Sequence, residues 1–348
     1  MTRRPRARRR ALTYRDAGVD IAAIERSRRA IGRLISSTHA RARGARVAGA
    51  FGHYAGIVRT RDGTLVATHT DGVGTKVLVA SRLRKYGTVG IDCVAMNVND
   101  IVCVGATPVS FVDYIAASRN DTAIFRSIVS GLARGAREAR VPIVGGETAI
   151  MPDLLRAGEF TFDLAGTVVG TIPPGRAVTG RAIRRGDVII GARSSGLHSN
   201  GYSLARRALA GIPLGERVAG GRSLGDELLR PTRIYAVPAL EVLSRFDVHG
   251  MAHITGGAFA NLLRLKRASY EIDSLPRTPP IMELIRSRGV EDAEMYRTFN
   301  MGVGLCVIAA EADARGIIAA LRGHGIASQA IGHVGAGSGV RVGGVDVA

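Results

Sequence analysis

Apolar and polar positions alternate along this chain with two different periods, and each change of period marks an element. TLVATHT (64–70), PVSFVDYIAA (108–117), VPIVGG (141–146) and EFTFDLAGTVVGTI (159–172) are short β-branched runs that predict strands. KVLVASRLRKY (76–86), GIDCVAMNVNDIVCVG (90–105) and FRSIVSGLARGAREA (125–139) carry the helical period. Pro173, Pro174 and Gly175 break the pattern inside IPPGRAVTGRAIRRGD, which predicts a domain boundary. Beyond it DVIIGARSS (187–195) predicts a strand, GLHSNG a loop and YSLARRALA (202–210) a helix. TRIYAVPALEVLSRF (232–246) predicts another helix, and AHITGGAFANLLRL (252–265) a strand end turning into a helix. MGVGLCVIAA (301–310) predicts a late strand, ADARGIIAALRGHG (312–325) a last helix, and GHVGAGSGV (332–340) a turn. No fixed-period repeat is present, so both halves read as mixed α/β modules, 12–172 and 176–348, after a basic low-complexity arm over 1–11.

The helix predicted from residue 90 has an unusual polar face. Ile91, Val94, Ala95, Val98, Ile101 and Val102 fall on one apolar side; Asp92, Asn97, Asn99 and Asp100 lie opposite, with Met96 and Cys103. A solvated face normally carries Lys, Arg and Glu, whereas short acids and amides are poor helix formers. In an arginine-rich chain, such a face suggests carboxylates held for a cation. HTDGVGTK (69–76) fits that picture. It has neither the phosphate-loop order Gly-Lys-Ser/Thr nor the third glycine of a dinucleotide fingerprint, but it sets Asp71 among glycines just ahead of the acidic helix. Acids there suit Mg²⁺, which in turn holds nucleotide phosphates. Glu147, in VGGETAIMP, is a third acid, placed at a glycine turn after a predicted strand.

RSSGLHSNG (193–201) lies between a predicted strand and a predicted helix. Its hydroxyls, amides and backbone N–H groups can bind an anion, with the helix N-terminus adding its dipole. His198 at its centre is able to donate to a phosphate, position a substrate or transfer a proton. The glycine pair of ITGGAF is a second anion-binding candidate.

Composition narrows the class. With 348 residues and 46% hydrophobic content the chain can build two packed cores, and no apolar run approaches the ~20 residues of a membrane span. The basic start lacks the apolar middle of a signal peptide, so a cytoplasmic protein is expected. Cys93, Cys103 and Cys306 lack metal-ligand or disulfide spacing and read as buried small hydrophobes. The formal charge of +19 comes almost entirely from arginine, Lys76, Lys85 and Lys266 being the lysines. Outside the arm the arginines are dispersed and aromatic residues make up only 5%, so nucleic-acid binding is expected to be at most non-specific, through the arm.

Eight segments, DAGVDI (16–21), TDGVGTK, GIDCVAMNVND, GGETAIMP, SSGLHSNGYSL, PTRIY, AHITGGAFANLLR and MYRTFNMGVG, occur in an order and at spacings that resemble the phosphoribosylformylglycinamidine cyclo-ligase family, over almost the whole chain from Leu12. The resemblance implies an α/β fold of two domains: the first lends strands to a barrel shared by a homodimer, and the second is a layered α/β substrate domain. It implies ATP- and Mg²⁺-dependent closure of the imidazole ring of 5-aminoimidazole ribonucleotide from formylglycinamidine ribonucleotide, in purine biosynthesis. By position it implies metal ligands at Asp71, Asp100 and Glu147, with Asp100, Glu147 and His198 catalytic. ATP contacts fall on Gly49, Phe51, Gly52, Lys76, Asn97, Gly145 and Gly146. Substrate or phosphate contacts fall on Ser194, Ser195, Gly196, Ser199, Asn200, Thr255, Gly256 and Gly257. Two positions depart from the pattern: AGAFGHYAG (48–56) replaces a GGFGG stretch, bringing in His53 and Tyr54, and Ile35 replaces a lysine. Thiamine monophosphate kinase, selenophosphate synthetase and the hydrogenase-maturation dehydratase share the acid-rich half, but SSGLHSNGYSL and MYRTFNMGVG resemble the cyclo-ligase more closely.

Overall fold

The computed structural model describes residues 12–18, 20–49, 52–155 and 160–348. The arm over 1–11 and Phe51 lie outside them. Two sheets organise the described chain. The first has six strands in the order β1 (Ala45–Val47), β2 (Gly56–Thr60), β3 (Leu65–Gly72), β6 (Phe162–Ile172), β4 (Thr107–Ala117) and β5 (Ile143–Ile150). The second has seven, in the order β13 (Val345–Asp346), β12 (Gly339–Val342), β9 (Ser269–Ile272), β11 (Ser328–Gly335), β7 (Val188–Arg193), β10 (Val303–Ala309) and β8 (Val248–His253).

In the first sheet β6 buries every second residue, Phe162, Leu164, Gly166, Val168, Gly170 and Ile172, on the face covered by α3 (Val89–Val102), and α4 (Thr122–Ala139) packs in turn on α3. Asp121 caps α4 by accepting from the Ile124 amide, 3.1 Å away. The two helices touch at glycines: a Cβ at Gly90 would lie 2.3 Å from the Leu132 nitrogen, and one at Gly131 only 2.4 Å from the Gly87 carbonyl oxygen. Among the described residues the opposite face of this sheet is uncovered, leaving Val112 and Tyr114 exposed. The second sheet is enclosed; all residues of β10 are buried, as expected for a strand covered on both faces.

Two expectations change. VPIVGG does not end at a glycine turn: β5 runs on through Gly145, Gly146 and Glu147 to Ile150 as an exposed edge strand. GHVGAGSGV supplies the end of β11 and the start of β12 around a short turn. The polar face of α3 is not surface, because Asp92, Asn97, Asn99 and Asp100 are all buried where the helix meets the second half of the chain. The free Cys93, Cys103 and Cys306 are buried, as read from the sequence.

Candidate active site

The side chains of α3 that looked like a cation-binding row divide their work. Asn97 clamps the backbone of Asp71, accepting from its N–H at 3.0 Å and donating to its carbonyl at 3.1 Å. Asn99 reaches the other domain. Its Nδ2 donates to the Arg233 carbonyl at 2.9 Å, and its Oδ1 accepts from the Tyr235 N–H at 2.7 Å, just ahead of α7 (Ala236–Arg245). Asp92 accepts from both the N–H and the hydroxyl of Thr232, each at 2.6 Å. Asp92 and Asn99 thus make their bonds across the domain boundary, Asn97 stays with Asp71, and Asp100 lies by Asp71 while reaching His253.

Asp71 ends β3. Burial pushes its carboxyl above the ordinary aspartate range, the negative charge of Asp100 adds to this, and the Gly72 N–H donating at 2.8 Å opposes it. Asp100 is hydrogen-bonded to His253 Nδ1 at 2.7 Å, and His69 Nε2 lies 3.4 Å away, buried and without a hydrogen-bond partner among the described residues. The Asn99 amide lies 3.3 Å from His253 Nε2. An amide N–H can only donate, so Nε2 accepts and the His253 proton sits on Nδ1, directed at Asp100. Two carboxylates with no lysine or arginine paired to them suit Mg²⁺, which takes one or two protein carboxylates and fills its shell with water and phosphate oxygens. Glu147 does not join them. In register it pairs with Tyr114, one residue out of step with the row Asp71, Gly166, Asp113 and Gly146, so it faces the uncovered side of the sheet. Among the described residues, no group of three or more His, Cys, Asp or Glu side chains is close enough to hold a metal ion.

Lys76 differs from its expected part as a phosphate ligand. It begins α2 (Lys76–Leu83) and is 0% exposed, with Nζ at 2.9 and 2.8 Å from the two Asp92 oxygens, 2.6 Å from the Arg230 carbonyl and 3.3 Å from that of His198. Its hydrogens are committed inside the protein. Of the other nucleotide candidates, Gly145 and Gly146 sit on the edge strand β5, and Gly49 packs on Ile57. Gly52 adopts φ +95° beside His53, a histidine close to Asp100 and Arg264 whose ring nitrogens are both buried without a partner among the described residues. The neighbouring Tyr54 hydroxyl reaches the carbonyls of His253 and Asn261, 3.3 Å each.

The loop between β7 and α5 (Tyr202–Ala208) spends its serines on its own architecture. Ser194 donates to Asn300 Oδ1 at 3.0 Å, Ser195 to the Pro231 carbonyl at 2.6 Å, and Ser199 lies 3.1 Å from the Thr232 hydroxyl. The Gly196 carbonyl accepts from Asn300 Nδ2. That leaves Asn200 Nδ2 and His198 Nδ1 as buried groups without partners. The Ser195 N–H donates to His198 Nε2 at 3.1 Å, so the neutral imidazole carries its proton on Nδ1, as a donor. Burial holds the His198 pKa well below the ordinary histidine value, and the charge of Lys76 pushes the same way. Asn200 faces the second glycine loop, its Oδ1 3.1 Å from where a Gly256 Cβ would be; Gly257 follows with φ +88°, and Thr255 accepts from Asn261 at 3.4 Å. Sequence reading missed His253, which stands in the quoted AHITGG, and His69, next to TDG. Both looked like strand residues.

Paired acids clamped by a buried amide helix, facing two glycine loops across a domain boundary, define an AIR synthase-type fold. Residues 52–172 match the family model for AIR synthase related protein, N-terminal domain, and residues 184–345 the model for its C-terminal domain. The chain is 47% identical over 308 residues to phosphoribosylformylglycinamidine cyclo-ligase of Methanothermobacter thermautotrophicus, covering 87% of this chain and 89% of that protein. Thiamine-monophosphate kinase from Stenotrophomonas maltophilia shares the fold at TM-score 0.63 and 19% identity, over 86% of this chain and 91% of its own. Hydrogenase maturation protein HypE in complex with ATP does so at TM-score 0.57 and 21% identity, over 78% and 77%. The chain belongs to the phosphoribosylformylglycinamidine cyclo-ligase family, whose members are ATP-dependent enzymes. No helix among the described residues is long and apolar enough to cross a membrane.

Proposed function

We propose that this chain closes the imidazole ring of 5-aminoimidazole ribonucleotide, using ATP to phosphorylate the formamide oxygen of formylglycinamidine ribonucleotide before the amidine-side nitrogen attacks that carbon and phosphate leaves. An amide oxygen is a very poor leaving group and phosphate a good one, so the protein's task is positioning and charge neutralisation. The observation that carries the reading is the meeting of the Asp71–Asp100 pair with the His198 and Gly256 loops at one interdomain locus. Asp71 and Asp100 would hold Mg²⁺, which would supply neutralisation of the phosphate charge. His253 fixes the Asp100 carboxylate. His198, neutral and with its Nδ1–H free, donates to the substrate rather than taking a proton, since its Nε2 lone pair is already used. Residues 12–172 supply the nucleotide and metal side and 176–348 the substrate side. ATP binding by HypE, which shares the fold, supports the nucleotide assignment.

A homodimer forms through the uncovered face of the first sheet, where Val112 and Tyr114 would be covered and the two sheets would close into a barrel. Glu147 on that face then contributes at the interface instead of beside Asp71. The test of the reading is release of ADP and phosphate with Mg²⁺: it should require formylglycinamidine ribonucleotide. Equal release without it, or release driven by thiamine monophosphate, overturns the reading.

A further inference from the structure

Lys76 and Asp92 form an ion pair with both side chains 0% exposed, in a protein whose surface offers ample room for charge. Burying two charges is unfavourable unless further hydrogen bonds complete the arrangement, and here they do, by way of the second domain. The ammonium donates to the carbonyls of Arg230 and His198, while Asp92 accepts twice from Thr232. Because the Thr232 hydroxyl donates to Asp92, the Ser199 hydroxyl donates to Thr232. Two consecutive residues of the substrate loop, His198 and Ser199, are therefore tied to one charge pair in the first domain. His198 also needs holding: its φ of +63° is a left-handed conformation that a non-glycine residue keeps only when its surroundings impose it. On the other side, its ring lies so close to β10 that a Cβ at Gly304 would meet Cε1 at 2.5 Å.

We infer that the Lys76–Asp92 pair is an interdomain brace that holds the His198 loop in its strained, substrate-facing conformation, making Lys76 a positioning residue and not a ligand of the nucleotide. Its role in turnover rests on the ring-closure reading; its role in loop conformation does not. Without the brace, His198 relaxes to negative φ and its Nδ1–H leaves the site.

The test compares wild-type protein with Lys76→Met/Asp92→Asn, which removes both charges while keeping side-chain length and an acceptor for Thr232. Lys76→Met alone would strand a buried carboxylate. The double variant should keep its KM for ATP within about twofold and lose about 10²-fold in kcat, the scale of an ångström misplacement. In ¹⁵N-histidine spectra the fixed Nδ1–H form of His198 should give way to a mixed, exchanging signal. Wild-type kcat with an unchanged His198 signal overturns the inference, as does a loss confined to the KM for ATP. A measurement on wild-type protein stands even if the variant does not fold: the Lys76 ¹⁵Nζ resonance should be protected from exchange and unmoved by Mg²⁺–ATP, and a large shift on nucleotide addition refutes the brace. Absence of wild-type turnover would count against the ring-closure reading alone, since both spectroscopic results stand without it.

Discussion

Asn99→Ala isolates the joint between the two domains. Asn99 is fully buried and makes three contacts across the boundary: to the Arg233 carbonyl at 2.9 Å, to the Tyr235 N–H at 2.7 Å and to His253 Nε2 at 3.3 Å. Alanine keeps the helix but leaves a buried N–H and a buried carbonyl unpaired. Each such group costs about 1–3 kcal/mol, so a loss of roughly 3 kcal/mol is expected. For a unit of this size that corresponds to a fall in Tm of about 6–12 °C. Urea unfolding and calorimetry measure it, with Asn120→Ala, a change at an exposed asparagine, as control. Activity should fall as well, because His253 loses the amide that fixes its proton toward Asp100. A destabilisation below about 1 kcal/mol would refute the claim that the amides of α3 are there to join domains.

Asp71→Asn and Asp100→Asn should each abolish turnover with the fold intact, and near-normal turnover at low Mg²⁺ for either would remove that residue from the metal site. Because the Asp71 carboxyl is raised by burial and by Asp100, its proton competes with Mg²⁺ already above the ordinary aspartate range, so Mg²⁺ affinity measured by direct metal binding should weaken as pH falls, and do so less in Asp71→Asn. His198 has a folded pKa depressed below its unfolded value, so its unfolded form binds the extra proton; stability is lost as pH falls through about 6.5, and His198→Asn should flatten that slope in pH-dependent melts. Deleting residues 1–10 should leave ring closure nearly unchanged and weaken salt-sensitive binding to polyanions; a large loss of activity would place the arm in the site.

The alternating pattern made most of the framework legible. β3, β4, β6, β7 and β10 fall on the runs that predicted them, as do α2, α3, α4, α5, α7 and α10 (Glu311–Gly323), because each buries one regular stripe or strand face. β5 was misread at its end: glycines signal a turn in isolation, whereas here Gly146 allows β5 to pass within 2.6 Å of an Asp113 oxygen, measured from where a Cβ would be. β9 and β12 are short pieces set by long-range pairing, and β13 is a two-residue strand folded back on β12; all three leave little local signal. The site was legible in residue type more than in role. Asp71 lies by Asp100, which bonds His253, whose ring stands 6.3 Å from that of His198, but periodicity could not tell a polar face turned to a cation from one turned to another domain. Both select short acids and amides. That ambiguity hid the true partners of Lys76, Asp92 and Asn99, and it hid His253, whose place beside Asp100 depends on a contact between residues 153 positions apart.

Ring closure by oxygen phosphorylation makes a labelled-atom prediction. Formylglycinamidine ribonucleotide carrying ¹⁸O in its formyl group is incubated with the protein, ATP and Mg²⁺, and the products are read by mass spectrometry. If the formamide oxygen is the phosphoryl acceptor, one ¹⁸O appears in each inorganic phosphate released, in step with formation of 5-aminoimidazole ribonucleotide. Unlabelled phosphate, or phosphate without ring closure, would contradict the account.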